Sequence, residues 1–165
     1  MSWRLLTARR PMAAQHSVSC PRHMTSLLDF ESALQVLDPQ SDDFVLAVAE
    51  LLGRVPESLR EETIPSIFSF FEKHPLEDMG APGSLVHFVE HSYPRYKEVL
   101  LASVRERPSY NAILMINRIL NSQLTAAERH EYLSSLRAVV ASPTCPKPLV
   151  SEARHFIDYQ SGRGS

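Results

Sequence analysis

Apolar side chains recur along most of the chain at the three- and four-residue spacing of an α-helix. In the first half, Leu27, Phe30, Leu34 and Leu37 share one helical face. Similar stripes follow, and no segment shows the alternation that a half-buried strand requires. The pattern therefore predicts an all-α protein of about eight short antiparallel helices with no sheet. The stripe predicted for the second helix is Phe44, Val45, Val48, Leu51 and Leu52.

Capping residues and prolines divide these stripes into separate helices. We expect Ser41 to cap the second helix and Gly53 to follow it in the left-handed conformation. Ser84 is expected to cap the fourth helix, and Tyr93-Pro94 to begin the fifth. The segment Thr125-Ala126-Ala127-Glu128 has the form of a capping box, which marks the start of the seventh helix.

The sixth helix, expected over about 110–120 with Ser109 as its cap, is apolar around most of its circumference, so it should be the most central one. Short loops favour antiparallel packing, which predicts a compact HEAT-like or α-solenoid array. A turn containing Gly80, Pro82 and Gly83 precedes the fourth helix. We expect Gly83 to lie close to a neighbouring helix or to adopt a backbone angle costly for other residues.

Charge divides the chain into three segments. Residues 1–23 contain four arginines and no acid, residues 24–78 contain 12 acidic and 3 basic residues, and residues 79–165 contain 10 basic and 7 acidic residues. We interpret residues 1–23 as a basic extension, either disordered or preceding a true start at Met24, with a targeting segment as the alternative. A single helical domain over 24–160 and a flexible tail over 161–165 complete the predicted organisation.

Composition argues against several classes of protein. No apolar run approaches the roughly 18 residues of a membrane span. The two cysteines, Cys20 and Cys145, form no CxxC pair, which fits a reducing cytoplasm and predicts no disulfide or zinc knuckle. There is no P-loop or GxGxxG sequence, and acidic residues interleave with the basic cluster that includes Arg105. We therefore expect no cofactor and no nucleic-acid partner.

His87, Glu90 and His91 spell H-x-x-E-H, the inverted motif of some zinc peptidases. On a helix, the two histidines are four residues apart and could share a zinc ion, with Glu90 as the base. However, Ser92-Tyr93-Pro94 ends the helix at once, and a third ligand would have to come from elsewhere. We favour a structural interpretation, in which His87 faces the core and bonds to backbone while Glu90 and His91 are solvated.

Two other polar groups invite a functional interpretation. Cys145 could act as a nucleophile with His155 or His130, but it lies in a proline-rich loop and nothing supplies an oxyanion hole, so a structural thiol is favoured. Asn117 and Arg118 interrupt the most apolar helix. We expect Asn117 to tie two helices together through its amide and Arg118 to cover apolar surface with its stem, with a partner contact as the alternative.

The acidic segment is the strongest indication of a binding surface. We expect its densest part to recognise a basic protein, with a solvated face that only aids solubility as the alternative. The residues concerned are Glu57, Glu61, Glu62, Glu72, Glu77 and Asp78.

Three segments of the chain are GAPGSLVHFVE at 80–90, the stretch from Tyr96 to Arg107-Pro108, and INRILN at 116–121. Together they resemble helical bacterial immunity proteins, which protect cells against polymorphic or contact-delivered toxins. The resemblance covers about residues 60–160. It implies a small helical, HEAT-like protein that binds and blocks a cognate toxin without catalysis. The matched positions, which include Gly80, Pro82, Gly83, His87 and Asn117, are structural, so no partner contact is carried over.

The first functional hypothesis is therefore a cytoplasmic immunity-type protein that occludes a toxin with a basic surface. A helical adaptor with another protein partner is the second. The third is a zinc hydrolase that uses His87, Glu90 and His91.

Overall fold

The computed structural model of the protein describes residues 24–162, which form eight α-helices and no strand. The predicted all-α class is confirmed. Residues 1–23 and 163–165, which include the basic extension and most of the predicted tail, lie outside the described residues. The helices are α1 (Leu27–Gln35), α2 (Phe44–Gly53), α3 (Ile64–Lys73), α4 (Ser84–Glu90), α5 (Lys97–Glu106), α6 (Tyr110–Leu120), α7 (Ala126–Ala141) and α8 (Lys147–Gln160), with a 3₁₀ turn at Glu57–Leu59.

Most helices pack against the helix that comes directly before or after them in the chain. Every helix also packs against one that is two positions earlier or later in the helix order. The first kind of contact joins α1 to α2, α5 to α6, α6 to α7 and α7 to α8, and the second joins α1 to α3, α2 to α4, α3 to α5, α5 to α7 and α6 to α8. The Met24 N–H donates to the Arg54 carbonyl at 3.4 Å, so the start of α1 lies beside the end of α2 and the two helices are antiparallel. The HEAT-like arrangement itself stays a prediction.

Helix α6 occupies the centre of the domain, as its sequence predicts. Eight of its 11 residues are buried, and it contacts α3, α5, α7 and α8. The side chains of Ile113, Met115 and Ile116 have no exposed surface. Burying several such side chains, each worth about 1.5–3 kcal/mol, makes this helix the main hydrophobic support of its four neighbours.

Two of the predicted helix starts are confirmed at the atomic level. Ser109 caps α6, because its hydroxyl accepts the N–H of Ala112 at 3.4 Å. The capping box of α7 is complete: the Thr125 hydroxyl accepts the Glu128 N–H at 3.2 Å, and the Glu128 carboxylate accepts the Thr125 N–H at 2.9 Å.

Other predicted boundaries are wrong by a few residues. Helix α2 begins at Phe44 rather than after Ser41, whose hydroxyl accepts the N–H of Asp43 in the preceding turn at 3.4 Å. Gly53 is the last residue of that helix and has no positive φ. Residues 91–96 form turns, so the fifth helix begins at Lys97 instead of beside Tyr93-Pro94.

The turn before α4 depends on glycine at two positions for different reasons. Gly80 has φ 85°, in the left-handed region that side chains rarely adopt, and the preceding Met79 has φ 54°. Gly83 is the N-cap of α4, the position predicted for Ser84, and has φ −77°. A Cβ atom at Gly83 would lie 2.1 Å from the Met79 carbonyl oxygen. Gly83 is therefore required by a close approach within its own turn, not by its backbone angle or a neighbouring helix.

Candidate protein-binding surfaces

The six carboxylates predicted to recognise a partner lie at opposite ends of α3. Glu57, Glu61 and Glu62 precede this helix, while Glu72 is in its last turn and Glu77 and Asp78 follow it. The helix has 10 residues. At a rise of about 1.5 Å per residue its ends are roughly 15 Å apart. The structure therefore separates the predicted surface into two groups.

Arginines neutralise half of these carboxylates. The acidic partner in one pair, Glu72, keeps only 10% of its side chain exposed, so it is held inside the fold rather than presented to a partner. Ion pairs at the surface contribute about 0–1 kcal/mol each, but they do remove free negative charge from it. The pairs are Glu57 with Arg60 (3.0 Å), Glu61 with Arg95, and Glu72 with Arg107 (2.8 Å).

Two more of the predicted carboxylates have internal roles. Asp78 Oδ1 accepts the Gly80 N–H at 2.9 Å and so stabilises the turn before α4. Glu77 Oε1 accepts from the Gln40 amide at 3.1 Å. Of the six carboxylates, Glu62 is the one that is exposed and also forms no ion pair and no side-chain hydrogen bond with the described residues. Most of the predicted set is therefore engaged within the fold.

A different acidic surface is formed by α1, α2 and the loop between them, which we call the N-terminal face. Residues 24–53 contain six carboxylates and no lysine, arginine or histidine. The described residues, 24–162, form seven ion pairs, and none of these pairs involves any of the six carboxylates. The five exposed ones are Asp29, Asp38, Asp42, Asp43 and Glu50.

Aliphatic side chains are exposed on the same N-terminal face. Leu28, Val36, Val45 and Leu46 are exposed, Val36 to 80%. The prediction that Val45 is buried is wrong, because the stripe that packs inward is Phe44, Val48 and Leu51. Single exposed aliphatic residues are ordinary, but here four lie within 19 residues, among carboxylates that form no ion pair with residues 24–162.

The H-x-x-E-H segment is arranged around an arginine. Arg118 donates through Nη2 to Glu90 Oε2 at 2.9 Å and through Nε to Oε1, and these bonds raise the pKa of the guanidinium. His87 Nδ1 lies 3.2 Å from the same carboxylate, and His91 Nδ1 lies 2.6 Å from the His87 carbonyl oxygen. Within residues 24–162, no three His, Cys, Asp or Glu side chains are placed to hold a metal ion.

Three structural predictions for this segment need correction. Glu90 is not simply solvated, because its carboxylate binds Arg118, which lies on α6, 28 residues further along the chain. His87 does not face the core, since 52% of its side chain is exposed. Arg118 does more than cover apolar surface with its stem, because its guanidinium joins α6 to the end of α4. No pattern in the sequence pairs these two helices, so the sequence does not predict this link.

The prediction that Asn117 ties two helices together is confirmed. Its side-chain oxygen accepts a hydrogen bond of 2.9 Å from Gln160 at the end of α8. The same Gln160 nitrogen donates to Asn121 at 2.7 Å. Because Asn117 is only 8% exposed, this bond satisfies a polar group that would otherwise be costly to bury.

Cys145 has the environment of a structural thiol. It is partly buried against the core, and desolvation raises its pKa. A nucleophilic cysteine needs the opposite shift, toward the thiolate. Both His130 and His155, the bases considered for it, have exposed side chains.

No protein-family model, curated protein or solved structure matches this chain. The resemblance to immunity proteins therefore stays a prediction from the sequence motifs. Among residues 24–162, none of the helices has the length and apolar character needed to cross a membrane.

Proposed function

We propose that this chain is a non-catalytic, immunity-type protein that binds a basic toxin in the cytoplasm and blocks it by occlusion. The observation that supports the proposal most is the N-terminal face, where exposed aliphatic side chains lie among carboxylates without a single basic residue in 24–53. The immunity-like motifs at 80–90 and 116–121 support the same class of function.

The two components of this face have complementary physical effects. Uncompensated carboxylates attract a basic protein over a range of about 8–10 Å at physiological salt, and they raise the association rate more than the affinity. Aliphatic side chains such as Val36 and Leu46 lose contact with water when a partner covers them, which slows dissociation. A toxin that acts on nucleic acid has a basic active surface, so a blocking protein of this kind would cover it directly.

The zinc-hydrolase alternative has less support from the geometry. The carboxylate of Glu90, which would have to act as the base, accepts two hydrogen bonds from Arg118. Within residues 24–162, no group of three His, Cys, Asp or Glu side chains is placed to hold the zinc ion. An adaptor would use the same N-terminal face as an immunity protein, so the two differ in the consequence of binding.

A growth assay distinguishes these functions. The chain is expressed in a bacterial host together with the product of the gene adjacent to its own, and growth is measured. We expect the neighbouring product to be toxic alone and harmless with the chain. If the chain is an adaptor, it would bind the product of the neighbouring gene but would not restore growth. That result would reject the proposal.

A pair of charge reversals then locates the contact. Asp43 and Glu50 are exposed and seven residues apart, so they share one side of α2 with Leu46 between them. The variant Asp43→Lys/Glu50→Lys should associate with the toxin roughly tenfold more slowly at low salt. The control Glu98→Lys/Glu106→Lys makes the same change in net charge on exposed positions of α5. Equal slowing in both variants would show that only net charge matters and that the N-terminal face is not the contact.

A further inference from the structure

A cavity of about 400 Å³ lies between the end of α4, the turn that follows it and the end of α6. This volume is within the range of about 300–1,000 Å³ that small-molecule sites occupy. Its polar lining consists of Glu90, Tyr93, Tyr96, Arg118, Asn121 and Ser122. None of its lining residues belongs to the N-terminal face.

Tyr96 is the residue that marks this cavity as a site. It is 98% buried, being only 2% exposed, yet it contributes to the cavity wall. Its hydroxyl forms no hydrogen bond with residues 24–162, although Tyr93 and Tyr132, which lie nearby, approach each other at 3.5 Å through their hydroxyls. The Tyr96 hydroxyl is therefore available to a ligand in the cavity.

The groups that remain free in the cavity are mainly hydrogen-bond donors. Arg118 has five N–H groups, of which the two on Nε and Nη2 are directed to Glu90. The Asn121 side-chain oxygen already accepts from Gln160 at 2.7 Å, which leaves its NH₂ group free. Each Glu90 oxygen accepts a hydrogen bond from Arg118, and His87 lies beside one of them, so the charge of this carboxylate is already paired. A ligand that binds these donors must therefore supply an acceptor.

The charges of the cavity favour a neutral acceptor over an anion. The Glu90 carboxylate balances the Arg118 guanidinium, so the pair has no net charge. The pKa of Tyr96 is raised, first by burial and then by Glu90, whose effect exceeds the opposing effect of Arg118. Because the Glu90–Arg118 pair is already neutral, an anion would bring an unbalanced charge beside the Glu90 carboxylate. A cation would meet Arg118 and find no free carboxylate.

We propose that this cavity binds the carbonyl oxygen of a neutral amide, with Tyr96, Arg118 and Asn121 as the hydrogen-bond donors. The exposed ring of Tyr93 and the side chain of Ile119 supply an apolar wall for the rest of the ligand. The amide can belong to a small molecule or to a glutamine or asparagine side chain of a protein. This site is independent of the proposed function and of the N-terminal face.

Three probes with the same ring and different charges test the site: benzamide, benzoate and benzylammonium. Each is titrated into the full ¹⁵N-labelled chain, and amide chemical shifts are followed. We expect saturable shifts with benzamide at Tyr93, Asn121 and Ser122, and weaker binding of the two charged probes. Tyr96→Phe should weaken benzamide about fivefold, the effect of one neutral hydrogen bond. The control Tyr110→Phe removes a hydroxyl outside this cavity and should change nothing.

Several outcomes would overturn the proposal. They are tighter binding of either charged probe, shifts that do not saturate or that lie elsewhere, and an affinity that Tyr96→Phe leaves unchanged. Asn121→Ala provides a second variant at an exposed position, and it should also weaken benzamide. The blocked peptide N-acetylglutamine methylamide identifies the source of the amide. If it binds as well as benzamide and N-acetylalanine methylamide does not bind, the site accepts a glutamine side chain; if both peptides bind, it accepts a backbone amide; and if only benzamide binds, the site accepts a free amide.

Discussion

Replacing Gly83 by alanine tests the structure of the turn before α4 with a single methyl group. The new Cβ would lie 2.1 Å from the Met79 carbonyl oxygen and 3.2 Å from its carbon. Real Cβ atoms essentially never approach another heavy atom within 3.0 Å, so the chain must move by about 0.9 Å. The obstacle is backbone, held in a turn where Met79 and Gly80 both have positive φ, and it has no rotamer through which to escape.

Overpacking of this kind costs about 1–3 kcal/mol. A domain of this size loses about 3 °C of melting temperature per kcal/mol, so Gly83→Ala should lower the melting temperature by roughly 3–10 °C. Thermal unfolding followed by far-UV circular dichroism measures the change, and urea titration gives the free energy of unfolding independently.

Gly53 provides a matched control with the opposite expected sign. It is the last residue of α2 and does not have a positive φ, and a Cβ atom added to it would meet no other atom within 4 Å. Alanine at this position should therefore leave stability unchanged or raise it by up to about 1 kcal/mol, because it restricts the unfolded chain. If Gly83→Ala melts at the wild-type temperature, the close approach to Met79 is not a constraint and the reasoning is refuted.

Two other predictions concern polar contacts. Hydrogen bonds from Thr125 lower the pKa of Glu128 below 4.5, so the charged capping box stabilises α7 above that pH and loses this contribution as pH falls through the lowered value. The melting temperature of Glu128→Gln should therefore fall below that of wild type at pH 7, and the gap should close in acid; a constant gap would contradict the prediction. For the Glu90–Arg118 pair, a double-mutant cycle with Glu90→Gln and Arg118→Met should give a coupling of about 0.5–1 kcal/mol that falls with salt. A coupling of zero at low salt would show that the pair does not stabilise the fold.

Local rules predict the parts of this fold that depend on neighbouring residues. The capping box at Thr125 and the cap at Ser109 involve only residues within one helical turn, so sequence alone identifies them. The central position of α6 follows from its sequence, since a helix that is apolar around most of its circumference must be surrounded by other helices.

The start of α2 shows where such rules fail. Ser41 is a good capping residue, but the Asp38 carbonyl accepts its N–H at 3.0 Å, and its own carbonyl accepts the N–H of Phe44 at 3.0 Å. These successive turns delay the start of the helix to Phe44. The helix buries the face that carries Phe44, Val48 and Leu51, and Val45, about 100° further round the helix from Phe44, faces solvent.

The binding surface is harder to predict because free charge depends on contacts between distant residues. Glu61 and Glu72 lie in a dense acidic segment, yet their arginine partners are more than 30 positions away. Counting charges along the chain cannot reveal this neutralisation. The N-terminal face shows the reverse case, since its carboxylates are sparser in sequence but no basic residue lies among them in 24–53, and none of them forms an ion pair within the described fold. Because steering depends on the charge that remains after pairing, the sparser surface is expected to attract a basic partner more strongly.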